Sequence, residues 1–356
     1  MSNPAVEMAW FCPLCDDDYE FLGVPNAALR SSFPHCRDIV VKAEDNGFDN
    51  ILCPSGYSIG IDSVTFAGGV APLTSRIRLL VAVRCGEMFP PQLARQMATL
   101  DRMLGGRLTI NIISSDLPGA PLASAPRYQR TRECMQIVRA LLNGEAIHHH
   151  GEFYRLDLDP PAVRTVSGRS PLVYFGGLSE DARAVAAEEA DVFLMWPEPM
   201  PQLRTLLDDM RTRAARVGRT LQFGYRVHMI VRETESEARA YARRLLSRLD
   251  DQVGDEIRRR SLDHASVGVR NQAAMREQAD AEGFVEEHLW TGIGRARSGC
   301  GAALVGDPDQ VMRKLRGYID LGIRAFILSG YPHADECDYV GRYILPQLRH
   351  GQLASS

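Results

Sequence analysis

Eight short apolar runs, each followed by an amphipathic stretch, recur along this chain: Met8–Cys12, Asn50–Cys53, Leu79–Arg84, Leu108–Ile113, Leu172–Phe175, Val192–Trp196, Phe223–Val231 and Arg324–Ser329. Strands solvated on one face alternate apolar and polar residues, whereas strands covered on both faces are apolar throughout, as inside a parallel sheet. Helical patterns follow at about 34–47, 63–70, 91–104, 127–143, 179–189, 200–217, 307–321 and 336–347. Eight such units predict an α/β protein, a (β/α)8 TIM barrel over residues 1–350 with a short, frayed tail at 351–356. A doubly wound open sheet is the competing architecture. It carries a Gly-x-Gly-x-x-Gly turn after its first strand, and none stands here.

Two connections exceed a simple βα loop: Ser114–Arg127 after the fourth strand, and roughly Thr234–Ala303 after the seventh. Both leave the C-terminal ends of strands, where barrel active sites are built, so the second is expected to form a lid with two or three charged helices. Glu145–Asp157 reads as a hairpin turning at His150-Gly151. Its three adjacent histidines (148–150) point alternately to opposite faces, so no metal site is expected.

Composition excludes more than it selects. The 41 basic and 45 acidic residues leave a net charge of −4, which supplies no basic face for tracking nucleic-acid phosphates. No apolar stretch reaches the ~18 residues of a membrane span, and no secretory leader is visible, so a soluble cytoplasmic protein is expected. The eight cysteines read as reduced thiols. Cys12-Pro-Leu-Cys15 lacks a second ligand pair and precedes three aspartates, which disfavour a thiolate.

Polar residues inside strands that should be apolar mark candidate site positions. Arg226 and His228 share one face of the seventh strand and need partners or a ligand there. Two readings stand: a structural ion pair with a neighbouring strand, or a site handling anions and protons. Tyr331 and His333 lie just beyond the eighth strand, on the catalytic side. Arg297 sits in a glycine-rich stretch suited to a residue that moves over an anion. Asn111, on the fourth strand, can offer both donor and acceptor to a planar heterocycle. Gly176-Gly177 and Ser179 open a helix after the fifth strand, where Ser179 is either a plain N-cap or part of a phosphate cradle. Tyr128 opens the fourth helix near the same barrel end.

The chain resembles the bacterial luciferase-like flavin-dependent monooxygenases, and within them the alkanesulfonate monooxygenase branch. The matching stretches are Pro72–Arg78, Ala94–Arg102, Tyr174–Gly177, Phe223–His228, Ile230–Thr234, Leu249–Asp251, Ala303–Asp307 and Leu328–His333. The resemblance implies a two-component enzyme, homodimeric or homotetrameric. A separate NAD(P)H-dependent flavin reductase would supply reduced FMN, which reacts with O2 to give a peroxyflavin. An organosulfonate or related organosulfur substrate would then be oxygenated, releasing aldehyde and sulfite. Arg226, His228, Arg297 and Tyr331 would be catalytic. Asn111, Tyr128, Gly177, Ser179 and Trp196 would bind the cofactor. Cys15, Ile59 and His333 would line the substrate pocket.

The chain departs from that branch mainly on the substrate side. Cys15 stands where the branch tends to carry a histidine, Ile59 where it places a cysteine, and Cys85–Phe89 is unlike it. Cys15 is open to two readings, a pocket residue or mere packing at the end of the first strand. A sister oxygenase acting on nitrogen, carbonyl or carbon centres, a flavin-binding protein without turnover, and use of a deazaflavin all remain open at this level.

Overall fold

The computed structural model describes residues 5–260 and 266–354. Eight parallel strands close into a barrel: β1 (Glu7–Phe11), β2 (Asn50–Cys53), β3 (Arg78–Arg84), β4 (Leu108–Ile113), β5 (Val173–Phe175), β6 (Val192–Met195), β7 (Gln222–Val231) and β8 (Ala325–Ser329). Each pairs with the next, and β8 returns to β1 with Glu7 opposite Ala325. The α/β TIM barrel expected from the apolar runs is therefore the observed fold. Each predicted strand lies within three residues of an observed one at either end.

Outside the barrel run α1 (Phe33–Asp45), α2 (Ser63–Val70), α3 (Pro90–Met103), α4 (Ser124–Asn143), α5 (Glu180–Glu189) and α6 (Met200–Arg216). Alternate strand residues such as Met8 and Trp10 face these helices, while Ala9, Phe11, Leu52, Leu80, Tyr174 and Ile327 pack in the barrel interior. At the bottom of that interior, Glu7 accepts from Tyr174 Oη at 2.5 Å and from Asn50 at 3.2 Å. The tail does not fray as expected. Leu353 is 7% exposed and packs into the interior cluster; its N–H donates to Glu7 and its carbonyl accepts from Arg78, closing the N-terminal mouth. Residues 355 and 356 lie outside the described segment.

After β7 come α7 (Glu235–Leu246), α8 (Asp251–Arg259) and α9 (Val267–Glu277), then antiparallel strands Phe284–Glu286 and Leu289–Trp290. The segment ends in Ala303–Gly306, a strand not foreseen, which pairs in parallel with His228–Val231. It is short and all-apolar except for its glycine, so nothing in its own pattern separates it from a loop packed on the core. α7 begins with a capping box in which Thr234 and Glu237 each satisfy the other's backbone. α10 (Pro308–Asp320), opened by an Asp307–Gln310 box, and α11 (His333–Tyr343) complete the outer layer.

The hairpin forms, between Ile147–His150 and Arg155–Leu158, but turns through Gly151–Tyr154 rather than at His150-Gly151. Its histidines pair with carboxylates: His149 with Glu133, His148 and His150 with Asp157. Among the described residues no cluster of His, Cys, Asp and Glu is arranged to hold a metal, and no helix is long and apolar enough to cross a membrane. All eight cysteines are free thiols.

Candidate active site

The C-terminal ends of the strands surround a cavity of about 230 Å³, with the segment after β7 as its roof. Phe11 and Cys15 come from β1 and its loop, Leu52 and Ile59 from β2 and its loop, Arg84 from β3 and Asn111 from β4. Leu194 and Trp196 come from β6 and its end, Arg226 from β7. Ile257, Arg260 and Arg297 to Cys300 descend from the roof.

Arg226 decides the character of this cavity. Its side chain is 3% exposed, lies 4.3 Å over the Phe11 ring and makes one hydrogen bond, from Nη1 to the Val227 carbonyl. Nη2 has no partner among the described residues. Burial lowers its pKa to about 10, so the guanidinium remains charged at neutral pH. A buried, half-satisfied cation at a cavity wall calls for an anion. Among the described residues Arg226 has no carboxylate partner, so the structural ion pair considered for it is not found there.

Two residues further along β7, His228 is fully buried and opposite Ser329 of β8. Its Nδ1 lies 2.7 Å from Ser329 Oγ, while Nε2 has no partner among the described residues. Burial, reinforced by the Arg226 and Arg297 charges, holds its pKa well below the usual imidazole range. His228 is therefore neutral, and its ring stacks on Tyr331 at 5.3 Å and 18°.

Arg297 donates from Nη1 to the Tyr331 hydroxyl at 2.8 Å and lies 3.6 Å from Asp16 and 5.1 Å from the Phe11 ring centre. Burial opposes its charge, but Tyr331, Cys15 and Asp16 outweigh burial and raise its pKa. The Tyr331 phenol, buried beside Asp16, is pushed up in spite of Arg297, so it stays protonated. The four residues expected to be catalytic thus form one cluster. Arg226 and Arg297 reach the cavity wall, and Tyr331 and His228 stand behind them.

Asn111, Trp196, Cys15 and Ile59 all line the cavity. Trp196 is held under α9 because Gly268 leaves room for it: a Cβ there would stand 2.9 Å from the indole. Tyr128, Gly177 and Ser179 gather at the N-terminus of α5. A Cβ on Gly177 would meet Tyr128 Oη at 3.2 Å and the Ala182 Cβ at 2.6 Å. Ser179 caps the helix, accepting from the Ala182 N–H at 3.2 Å, so its N-cap role is real and leaves its own hydroxyl proton to donate.

His333 is a correction. It does not line the cavity but is the first residue of α11, fully buried behind Phe11. Asp18 grips both its Nδ1 and its backbone N–H and fixes it there.

Sequence reasoning missed Arg84, Asp16, Asp18 and Arg260. Arg84 carried a signal related to the one that revealed Arg226, a charge in an apolar strand, here at its end. Its Nε donates to Ser115 at 2.7 Å and Nη1 to Glu87 at 2.6 Å. Asp16 and Asp18 sit in a run of three aspartates whose separate partners are set only by tertiary contacts.

A closed parallel barrel with buried arginines converging on its C-terminal mouth is the layout of a barrel enzyme for an anionic substrate. The model of the luciferase-like monooxygenase family matches residues 8–325, and the chain belongs to that family of flavin-dependent monooxygenases. It is 61% identical over 360 residues to a sulfoquinovose monooxygenase from Novosphingobium aromaticivorans, covering 99% of both chains. It is 54% identical over 348 residues to one from Agrobacterium fabrum, covering 97% of this chain and 90% of that one. Among solved structures, a riboflavin lyase with modified FMN and riboflavin shares the fold, with a TM-score of 0.79 at 16% identity over 99% of this chain and 94% of that one.

Proposed function

We propose that the protein takes reduced FMN from a separate NAD(P)H-dependent flavin reductase and uses O2 to oxygenate a sulfonated sugar of the sulfoquinovose type. C–S cleavage then releases an aldehyde and sulfite. The observation that carries this reading is the buried Arg226 in the cavity wall, whose Nη2 has no partner among the described residues. A sulfonate oxygen supplies the missing acceptor. The identity of 61% to a relative named for that sugar sulfonate supports the choice of substrate.

The residues fit the flavin. Asn111 and Trp196 offer a polar edge and an aromatic face to a planar ring, and the side-chain-free surface of Gly177 beside Tyr128 and Ser179 suits a phosphate at a helix N-terminus. Glu180 in the first turn of α5 is neutralised by Arg183 and Arg213, so it does not repel an anion there. When bound, reduced FMN supplies the electrons that activate O2. Arg226 and Arg297 would bind and orient the sulfonate and stabilise negative charge developing beside it. Tyr331, protonated and accepting a hydrogen bond from Arg297, can donate a proton toward that charge, and neutral His228 can accept one. The roof would exclude water, so that O2 is not lost as hydrogen peroxide.

The polar wall suits a hydroxylated substrate. Ser55, Ser58, Arg84 and Asn111 line the cavity where a plain alkyl chain would want apolar contacts. We place the protein in the cytoplasm as a homodimer or homotetramer that meets its reductase transiently. The test is sulfite release from a panel of sulfonates, with FMN, NAD(P)H and a generic flavin reductase. The sugar sulfonate should lead the panel. Release from simple alkanesulfonates but not from the sugar would overturn the substrate class.

A further inference from the structure

Asp18, on the loop after β1, has a fully buried carboxylate met by four donors. These are the Tyr19 N–H at 2.9 Å, the His333 N–H at 3.0 and 3.1 Å to its two oxygens, His333 Nδ1 at 2.8 Å and His35 Nε2 at 3.1 Å. Burial works against its charge, but His333 and His35 more than compensate and hold the carboxyl down to about 2. An ionised carboxylate only accepts hydrogen bonds, so each imidazole carries a proton on the nitrogen facing it.

His333 is thereby defined at both ends. Burial outweighs the pull of Asp18 and, with the Arg297 and Arg226 charges, keeps its pKa below the usual range. The ring is neutral, protonated on Nδ1, and its Nε2 is a buried lone pair without a partner among the described residues. It stands edge-on to Tyr331 at 4.9 Å and 83° and stacks on Phe11 at 5.6 Å and 29°. Tyr331 continues the contact to His228, and Phe11 lies beneath both site arginines. The charged and titratable groups around the pair are His35, Tyr331, His228, Cys12, Arg226, Arg297, Asp16 and Glu336.

We propose that Asp18 is a positioning residue for the active site: it locks His333 in the Nδ1–H tautomer, so that a bare Nε2 stands as hydrogen-bond and proton acceptor beside Tyr331. Without that lock either nitrogen can carry the proton, and the acceptor beside the phenol is lost in part of the population. Asp18 also caps α11 through the His333 N–H, which on its own would be a structural role. The two roles separate in Asp18→Asn. With its oxygen at the Oδ2 position the amide still accepts from the His333 N–H that begins α11, while its NH2, at the Oδ1 position, donates to His333 Nδ1, drives the proton to Nε2 and leaves the Tyr19 N–H without its acceptor.

This inference rests on the oxygenase reading for its kinetic part only. The tautomer is read on the cofactor-free protein by nitrogen-15 spectra of histidine-labelled material, with His333 assigned through its loss in His333→Asn. The wild type should show Nδ1–H and a bare Nε2, and Asp18→Asn the reverse. In turnover, Asp18→Asn should lower kcat about 10- to 100-fold with KM and FMN affinity nearly unchanged, and should alter the pH profile. His333→Asn keeps a donor toward Asp18 but removes Nε2, and should fall by a similar factor while staying folded. A proton on Nε2 in the wild type would overturn the proposal, as would wild-type kcat and pH profile in both variants. If the wild type itself releases no sulfite, the oxygenase reading fails, and the spectra still decide the tautomer.

Discussion

Arg226 shows how stability and function are exchanged at a single residue. A guanidinium that is 3% exposed, with one backbone hydrogen bond and no carboxylate partner among the described residues, is a burden on the folded state. Arg226→Met should therefore raise the melting temperature, by about 1 kcal/mol of added stability. The same change should lower kcat for sulfite release about 10²- to 10³-fold, as expected when a preorganised cation is removed from developing charge. Calorimetry and steady-state kinetics on one preparation check both halves; a variant that loses activity without gaining stability would argue that the cation is paired in the free protein. Asp18 gives the opposite sign. Its carboxyl is held at about 2 against an ordinary value of 3.8. The difference contributes about 2 kcal/mol, fully present above the unfolded value and lost as pH falls from about 4 through 2. Acid unfolding of Asp18→Asn should lack that part of the pH dependence while keeping the rest.

At the scale of elements, the turn from β5 into α5 and the contact of α9 with Trp196 are the parts most open to test. Gly177→Val places methyl groups where the Tyr128 hydroxyl and Ala182 already crowd the position, so FMN affinity should drop about tenfold or more with the barrel intact. Titration of flavin fluorescence reads this without turnover. Gly268→Ala sets a Cβ 2.9 Å from the Trp196 ring and should push α9 off the cavity. The expected result is more hydrogen peroxide formed per NAD(P)H consumed, with less sulfite; unchanged coupling would argue against a sealing role for the roof. The barrel strands were legible in the sequence because burial on both faces leaves an unbroken apolar run. Arg226 and His228 were legible because they interrupt one. Asp18 and the seat of His333 were not, since their meaning lies in a contact 315 residues apart in sequence. Ala303–Gly306 was missed because three apolar residues and a glycine look alike in a strand and in a packed loop. The buried tail likewise depends on Glu7 and Arg78, which only the closed barrel brings to Leu353.

For the whole molecule, the net charge of −4 says little, whereas the placement of arginines says much. Arg84, Arg226, Arg260 and Arg297 meet around one cavity, reached from β3, β7 and the roof, on an otherwise mildly acidic protein. In the proposed function such a local field would draw an anionic substrate to the mouth of the barrel. In the proposed function the arginine-lined cavity couples reduced flavin and O2 to cleavage of a sulfonate. A single-turnover experiment tests it most directly: photoreduced FMN bound to the protein, mixed with O2 and sulfoquinovose, followed by measurement of sulfite and hydrogen peroxide. Close to one sulfite per reduced FMN and little peroxide are expected, with sulfite nearly abolished in Arg226→Met. Quantitative hydrogen peroxide with no sulfite from the wild type would contradict it.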